Sequence, residues 1–243
     1  MHQLFVDLLP SEGDLLTLDG DERHYLGRAL RARPGERFRL AAANGEAAIA
    51  VLESFAGDAA LLRVGPPDPD PALGLDLCLD LCPPRGDALD HALEMASQLG
   101  ITRLRLVRSE RTLAPPDQGA LQPDRLRKRL REACRQCLRA RPPFLEASAS
   151  FSDAVRDAGP GLRLLMSERG GAPLPALDDT DTREVRVMVG PEGGFTAAEL
   201  DLALAQRWTP ISLGPHPLKT ATAVAAALAG LRALSAATLR SQP

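Results

Sequence analysis

The stretch Val187-Met188-Val189-Gly190-Pro191-Glu192-Gly193-Gly194-Phe195 carries the sharpest chemical signal in the chain. An apolar run enters a turn with three glycines, positions where backbone can approach a ligand closer than any side chain would permit. A turn of this kind reads as a ligand loop at the carboxyl end of a strand. It is not G-x-G-x-x-G, so a dinucleotide fingerprint is absent. A second loop runs Leu213-Gly214-Pro215-His216-Pro217-Leu218-Lys219-Thr220. Its Lys-Thr pair superficially matches a phosphate-binding loop, but no glycine precedes the lysine, which excludes a nucleotide triphosphatase. Lys219 stands out because it and Lys128 are the only lysines among 29 basic residues. With three isoleucines and one asparagine, that bias reflects a G/C-rich genome, and arginine abundance by itself points to no partner. A lysine kept inside a loop favours function over a surface position at a helix entry.

Cys78-x3-Cys82 and Cys134-x2-Cys137 have spacings that zinc sites use. The first pair falls on an alternating strand and its end, and Cys137 on an apolar helix stripe, so all four read as reduced structural thiols. His2, His24 and His91 are scattered, and neither H-E-x-x-H nor G-x-S-x-G occurs, so metalloprotease and serine-hydrolase chemistry has no support. Four cysteines in 243 residues are not a disulfide scaffold. No apolar run is long enough to span a bilayer, and the first residues lack a basic region and a long apolar core. The expected setting is a reducing cytoplasm without a membrane partner.

The elements that must position these loops follow from period and punctuation. Residues 1–65 read as short strands broken by turns, with an Asn44-Gly45 hairpin signal and one helix over 24–33 stopped by Pro34-Gly35. This predicts a small β-rich unit, a barrel. The run Gly65-Pro66-Pro67-Asp68-Pro69-Asp70-Pro71 cannot continue a ladder and is read as a stiff linker. Domains are therefore expected at 1–70 and 71–243. From Leu75 the texture becomes strand, helix, strand, helix. Asp87 is placed as the cap of a helix closed by Gly100, and strands are expected at 101–107, 162–166, 185–189 and 210–213. Helices are expected at 124–140, after Thr196 with Glu199 in a capping box, and over the alanine-rich 221–237. Alternating β and α units predict an α/β fold with a mostly parallel, covered sheet.

The net charge of −3 conceals strong segregation. Residues 23–39 hold six arginines and one acid, and residues 103–141 hold twelve basic and four acidic groups, leaving −16 for the remainder. Any one basic amphipathic helix is usually a solvated face. Two basic stretches, one in each expected domain, favour a groove for a polyanion, since phosphate neutralisation dominates nucleic-acid affinity.

These motifs, in this order behind a basic β domain, resemble the SPOUT RNA methyltransferases, and within them the RsmE family, which methylates uracil N3 in small-subunit ribosomal RNA. The resemblance covers nearly the whole chain. It is carried by His24-Tyr25-Leu26 with Arg28, Leu30, Arg31 and Arg33-Pro34-Gly35, by Gly86-Asp87, by 96–100, by Ser109-Glu110-Arg111-Thr112, by Glu132-Ala133 with Gln136-Cys137, Arg139 and Arg141, and by VGPEGGF and SLGP. It implies a trefoil-knotted SPOUT domain behind a PUA-like N-terminal β-barrel, S-adenosylmethionine as cofactor, and a homodimer acting on ribosomal RNA or its assembly intermediate. By motif position the cofactor set is Met166, Gly190, Pro191, Glu192, Gly193, Leu213, Gly214 and Leu218. RNA phosphates fall to His24, Arg28, Arg31, Arg33, Arg111, Arg139 and Arg141.

The last loop departs from the family pattern. His216 and Lys219 replace two arginines and Ala221 a glutamate, while Met95 and Gln98 stand where lysine and glutamate are common. His216 and Lys219 are the expected catalytic cations, favouring the enolate form of the uracil imide. Two alternatives follow from the same departures: methyl transfer at a different RNA site, and a non-catalytic RNA-binding or ribosome-assembly relative.

Overall fold

The computed structural model describes residues 1–113, 121–167, 170–175 and 184–240. The basic stretch at 103–141 thus includes 114–120, which lie outside the described residues. The chain divides into two compact units, Met1–Ala72 with Arg131–Pro142, and Leu73–Leu130 with Pro143–Pro243.

The first unit contains β1 (His2–Val6), β2 (Leu15–Leu18), α1 (Gly20–His24), β3 (Arg37–Ala42), β4 (Ala47–Ala56) and β5 (Ala59–Pro67). They form a barrel-like sheet in the order β1-β3-β4-β5-β2, with β1 parallel to β3 and the other pairs antiparallel. The Asn44-Gly45 hairpin is present: Gly45 takes φ +89 and its N–H donates to the Ala42 carbonyl at 2.9 Å. Leu4, Phe38, Leu40, Leu52 and Leu62 fill the interior. The helix expected over 24–33 is displaced. It starts at Gly20, where Asp21 and Glu22 suit a first turn, and continues as a π-turn over Tyr25–Ala29. Arg31 then takes φ +51, and Pro34 disfavours a helical Arg33.

The second unit holds β6 (Asp76–Leu81), α2 (Asp87–Gln98), β7 (Ile101–Arg108), β8 (Phe144–Leu145), β9 (Ala149–Ser150), α4 (Phe151–Arg156), β10 (Leu162–Met166), β11 (Glu184–Val189), α5 (Ala197–Ala205), β12 (Thr209–Ile211) and α6 (Thr220–Arg240). Between β7 and β8 lies α3 (Pro123–Cys137), whose residues from Arg131 belong to the first unit. The sheet runs β12-β10-β11-β6-β7-β8, with β9 also on β7, and every pair is parallel.

Both faces of this sheet are covered, as expected of a parallel sheet. Leu77, Leu79, Leu81, Val185 and Val187 join α2 and α6 in one core, while Leu165, Met188, Phe151, Val155 and Trp208 form another. The alternation of β6 therefore does not mark a wet face, because Cys78 and Asp80 are buried too. The Asp80 carboxylate accepts from Arg105 Nε and Nη2 at 2.9 and 2.7 Å and from Arg186 Nη1 at 2.8 Å. Glu146 accepts from Arg186 Nη2 at 3.1 Å. Charges taken from water persist in this way only when paired and hydrogen-bonded.

Two helix boundaries also differ from expectation. Gly86, not Asp87, occupies the cap of α2, with φ +59, and Asp87 is the first helical residue. Helix α3 begins one residue early, at a proline suited to a first turn, and ends at Cys137, because Leu138 turns left-handed at φ +58.

Candidate active site

Three adjacent parallel strands release three loops at one end. Leu165 of β10 pairs with Met188 of β11, and Met166 with Ile211 of β12, which sets the carboxyl ends side by side. The loops wall a cleft of about 410 Å³ whose lining includes Met166, Ser167, Gly190, Pro191, Gly193, Phe195, Leu213, Gly214, His216, Leu218 and Ala223. Its position is the one expected for ligands of open α/β sheets, and its size is that of a small-molecule site, roughly 300–1,000 Å³.

Glycines make the cleft possible. A Cβ on Gly190 would stand 2.9 Å from two ring carbons of Phe195, whose ring lies 5.2 Å from that of Phe151. Gly194 takes φ +66 and its N–H donates to Pro191 at 2.9 Å, closing the turn. Beside β12, the Ala172 N–H donates to Pro210 at 3.0 Å and Ser212 N–H to Ala172 at 2.8 Å. A side chain at Gly171 would strike the Ile211 backbone there.

A second turn is fastened to the glycine loop. Thr196 and Glu199 form the predicted capping box at the start of α5. The buried Glu199 does more than cap: Oε2 accepts from Thr196 N–H at 2.9 Å, and Oε1 accepts from Glu110 N–H at 2.8 Å. Arg111, next in sequence, donates from Nη1 to the Gly193 carbonyl at 2.8 Å and lines the cleft. Burial pushes the nearby Cys82 thiol up to about 11 despite hydrogen bonds from Ser109 and Thr112, so it is an inert thiol.

Of the cofactor residues expected from sequence, Met166, Gly190, Pro191, Gly193, Leu213, Gly214 and Leu218 share the lining, while Glu192 is exposed outside it. Of the two expected catalytic cations, His216 lines the cleft and Lys219 does not. Lys219 is exposed, and its carbonyl accepts from Ala223 N–H at 2.8 Å, so it stands at the cap of α6. Ala221, one of the departures from family pattern, packs partly buried against the larger core. Ser167 and Ala223 were not singled out in the sequence. Nothing in their types marks them, since they acquire a place only through the strand register.

The expected RNA residues divide between the units. Arg111 belongs to the second; His24, Arg28, Arg31, Arg33, Arg139 and Arg141 belong to the first. His24, Arg28, Arg31, Arg33 and Arg141 are exposed, and Arg139 is partly buried, which lowers its guanidinium from the ordinary value. Arg141 donates to the Asn44 carbonyl. Not all of the basic stretch is available to a polyanion. Arg131 and Arg135 of α3 are committed to the buried Glu22 at 2.9 and 2.7 Å, and Arg135 also lies over Tyr25, 4.3 Å from the ring centre.

A doubly covered parallel sheet with a glycine-lined cleft at its carboxyl ends is the arrangement of a ligand-binding α/β domain, and residues 71–232 match a family model described as an RNA methyltransferase domain. A protein named ribosomal RNA small subunit methyltransferase E from Synechocystis sp. is 32% identical over 225 residues, covering 90% of this chain and 73% of that one. A protein of the same name from Mycobacterium bovis is 27% identical over 238 residues, covering 95% and 91%. The crystal structure of ribosomal RNA small subunit methyltransferase E from Neisseria gonorrhoeae bound to S-adenosyl methionine superposes with a TM-score of 0.87 at 26% identity, covering 96% of this chain and 98% of that one. The chain belongs to the ribosomal RNA small subunit methyltransferase E family of SPOUT methyltransferases.

Proposed function

We propose that this chain methylates uracil N3 at a uridine of small-subunit ribosomal RNA, using S-adenosylmethionine. The observation that carries the reading is the cleft itself: three β-strand ends deliver Met166, the glycine loop and residues 212–218 to one cavity of fitting size. The residues suit the cofactor. Glycine backbone at 190, 193 and 194 leaves peptide groups accessible, and Met166, Leu213 and Leu218 offer apolar surface for an adenine. Gly190, Gly193, Leu213 and Leu218 hold it, with Pro191 and Gly214 shaping the turns and Glu192 at the rim. When bound, S-adenosylmethionine supplies a methyl group on a sulfonium that departs as a neutral thioether.

The protein's own work is positioning and charge. Arg111 holds a phosphate of the RNA at the edge of the cleft, and His24, Arg28, Arg31, Arg33, Arg139 and Arg141 hold others on the PUA-like unit. Lys219 on its flexible stem places positive charge near the uracil carbonyls, and His216 offers a ring N–H to them. That charge favours transfer of the imide proton to solvent water and leaves N3 as the nucleophile. N3 lies on the pairing edge, so the base must be unpaired or flipped out. The chain acts as a cytoplasmic homodimer on the small subunit or its assembly intermediate, with sequence domains at 1–70 and 71–243, the second of which lends residues 131–142 to the first compact unit, and a trefoil knot in the cofactor loops. The exposed Lys219 favours one second reading: the same chemistry directed to a different RNA nucleotide. Titration calorimetry with S-adenosylmethionine tests the proposal, which predicts saturable one-site binding and fails if there is none.

A further inference from the structure

The last turn of α3 holds two sulfurs that the cleft does not use. Cys134 is buried with Phe5, Ala41, Ala47 and Ala140, while Cys137 is half-buried. Three residues apart on a helix, their Cα atoms stand about 5 Å from one another, inside the roughly 4.4–6.8 Å that a disulfide spans. Helix regularity does not continue past them: Leu138 is left-handed, and the Arg139 N–H closes the end on the Cys134 carbonyl at 2.9 Å. The next residues are tethered. Arg39 donates to the Leu138 carbonyl at 2.7 Å, Gln3 to the Arg139 carbonyl at 2.8 Å, and Ala140 N–H to the Asp70 carboxylate at 2.9 Å. The same turn carries Arg139 and Arg141.

We propose that Cys134 and Cys137 form a reversible dithiol–disulfide site, closed by hydroperoxides, whose closure disturbs the turn bearing Arg139 and Arg141. The geometry has electrostatic support. The Cys137 Sγ donates to the Cys134 carbonyl at 3.7 Å, which holds the second sulfur back against the turn that bears the first. The Cys134 thiol and the Arg139 charge favour its thiolate against burial and hold Cys137 below the ordinary thiol value. Cys78 and Cys82 are buried and pushed up to about 11, so they serve as internal controls.

The chemistry balances. The Cys137 thiolate attacks the outer peroxide oxygen, the O–O bond breaks, and the alkoxide takes a proton to leave as an alcohol, or as water from hydrogen peroxide. The resulting sulfenic acid is attacked by the Cys134 sulfur, which loses its proton as water departs and the S–S bond forms. Two thiols are oxidised and one peroxide is reduced. A dithiol reductant reverses the bond by exchange.

The test treats the full chain with hydrogen peroxide, then maps non-reduced peptides and measures affinity for small-subunit ribosomal RNA. The expected result is a Cys134–Cys137 linked peptide with Cys78 and Cys82 still thiols. RNA affinity falls about fivefold, is restored by dithiothreitol, and is unaffected by peroxide in Cys137→Ser. In Cys134→Ser a dimedone adduct forms at Cys137 instead. Oxidation without the linked peptide overturns the site, and a linked peptide with unchanged RNA affinity overturns its consequence. The RNA arm rests on the function proposed above. A linked peptide in a protein that never binds the RNA, even reduced, counts against that function and leaves the disulfide standing.

Discussion

Arg111 reaches across 82 positions of sequence to donate a hydrogen bond to the Gly193 carbonyl at 2.8 Å, joining an exposed cation to the backbone of the glycine loop. Glu199 ties the same turn from beneath through Glu110. The cation is thus held at the cleft edge by its own guanidinium and by the backbone of the residue before it. Arg111→Ala should weaken RNA binding about tenfold and lower the slope of log affinity against log salt by about one, the signature of one lost phosphate contact. Filter binding across salt concentrations checks this; an unchanged slope would remove Arg111 from the RNA interface.

Gly190 tests the cleft from the inside. An alanine there puts a methyl group 2.9 Å from the Phe195 ring, which already packs on Phe151. Gly190→Ala should cost about 1–3 kcal/mol of stability and weaken S-adenosylmethionine binding about tenfold or more, about 1.4 kcal/mol. Chemical denaturation and calorimetry read the two effects separately.

Lys219 and His216 should separate kinetically. Lys219 is outside the lining and caps α6 through its carbonyl, which an alanine retains. Lys219→Ala should therefore leave cofactor affinity within about twofold while lowering kcat about tenfold or more. His216→Ala, at a lining position, should lower both. Single-turnover rates together with cofactor titrations distinguish the two patterns, and equal losses in the Lys219 variant would argue against its catalytic role.

The acid limb of stability should report Glu146. Burial works against its charge, but the hydrogen bond from Arg186 and the charges of Arg186 and Arg105 hold it below the ordinary 4.5. A lowered folded value means its contribution is complete above the unfolded value and is lost as pH falls through the folded one. Glu146→Gln should cost about 1.5–3 kcal/mol near neutral pH and flatten the decline below about pH 4.5. Urea unfolding from pH 7 to 3 shows whether the two curves converge.

The sequence made the glycine loop, the Thr196–Glu199 box and the Asn44-Gly45 hairpin legible, since each is a local event with a residue type that enforces it. It did not disclose the buried Asp80 with Arg105 and Arg186, because alternation along β6 looks the same whether the second face is wet or covered. Glu22 is similar. Its pairing with Arg131 and Arg135 spans more than 100 residues, and it removes two arginines from a stretch whose charge otherwise suggests RNA. The helix expected over 24–33 begins instead at Gly20, because Pro34-Gly35 punctuates its end while no side-chain cap marks its start. In the cleft, the loops could be read from the chain, but their partners Ser167 and Ala223 depend on how β10, β11 and β12 are set side by side.

The central claim is methyl transfer to a uracil nitrogen of ribosomal RNA. The most direct measurement incubates the protein and methyl-labelled S-adenosylmethionine with small ribosomal subunits from a strain lacking the corresponding gene. Mass spectrometry of the nucleosides then locates the label. The account predicts label in 3-methyluridine at a single site. Label on another base or position, or none at all, would contradict it.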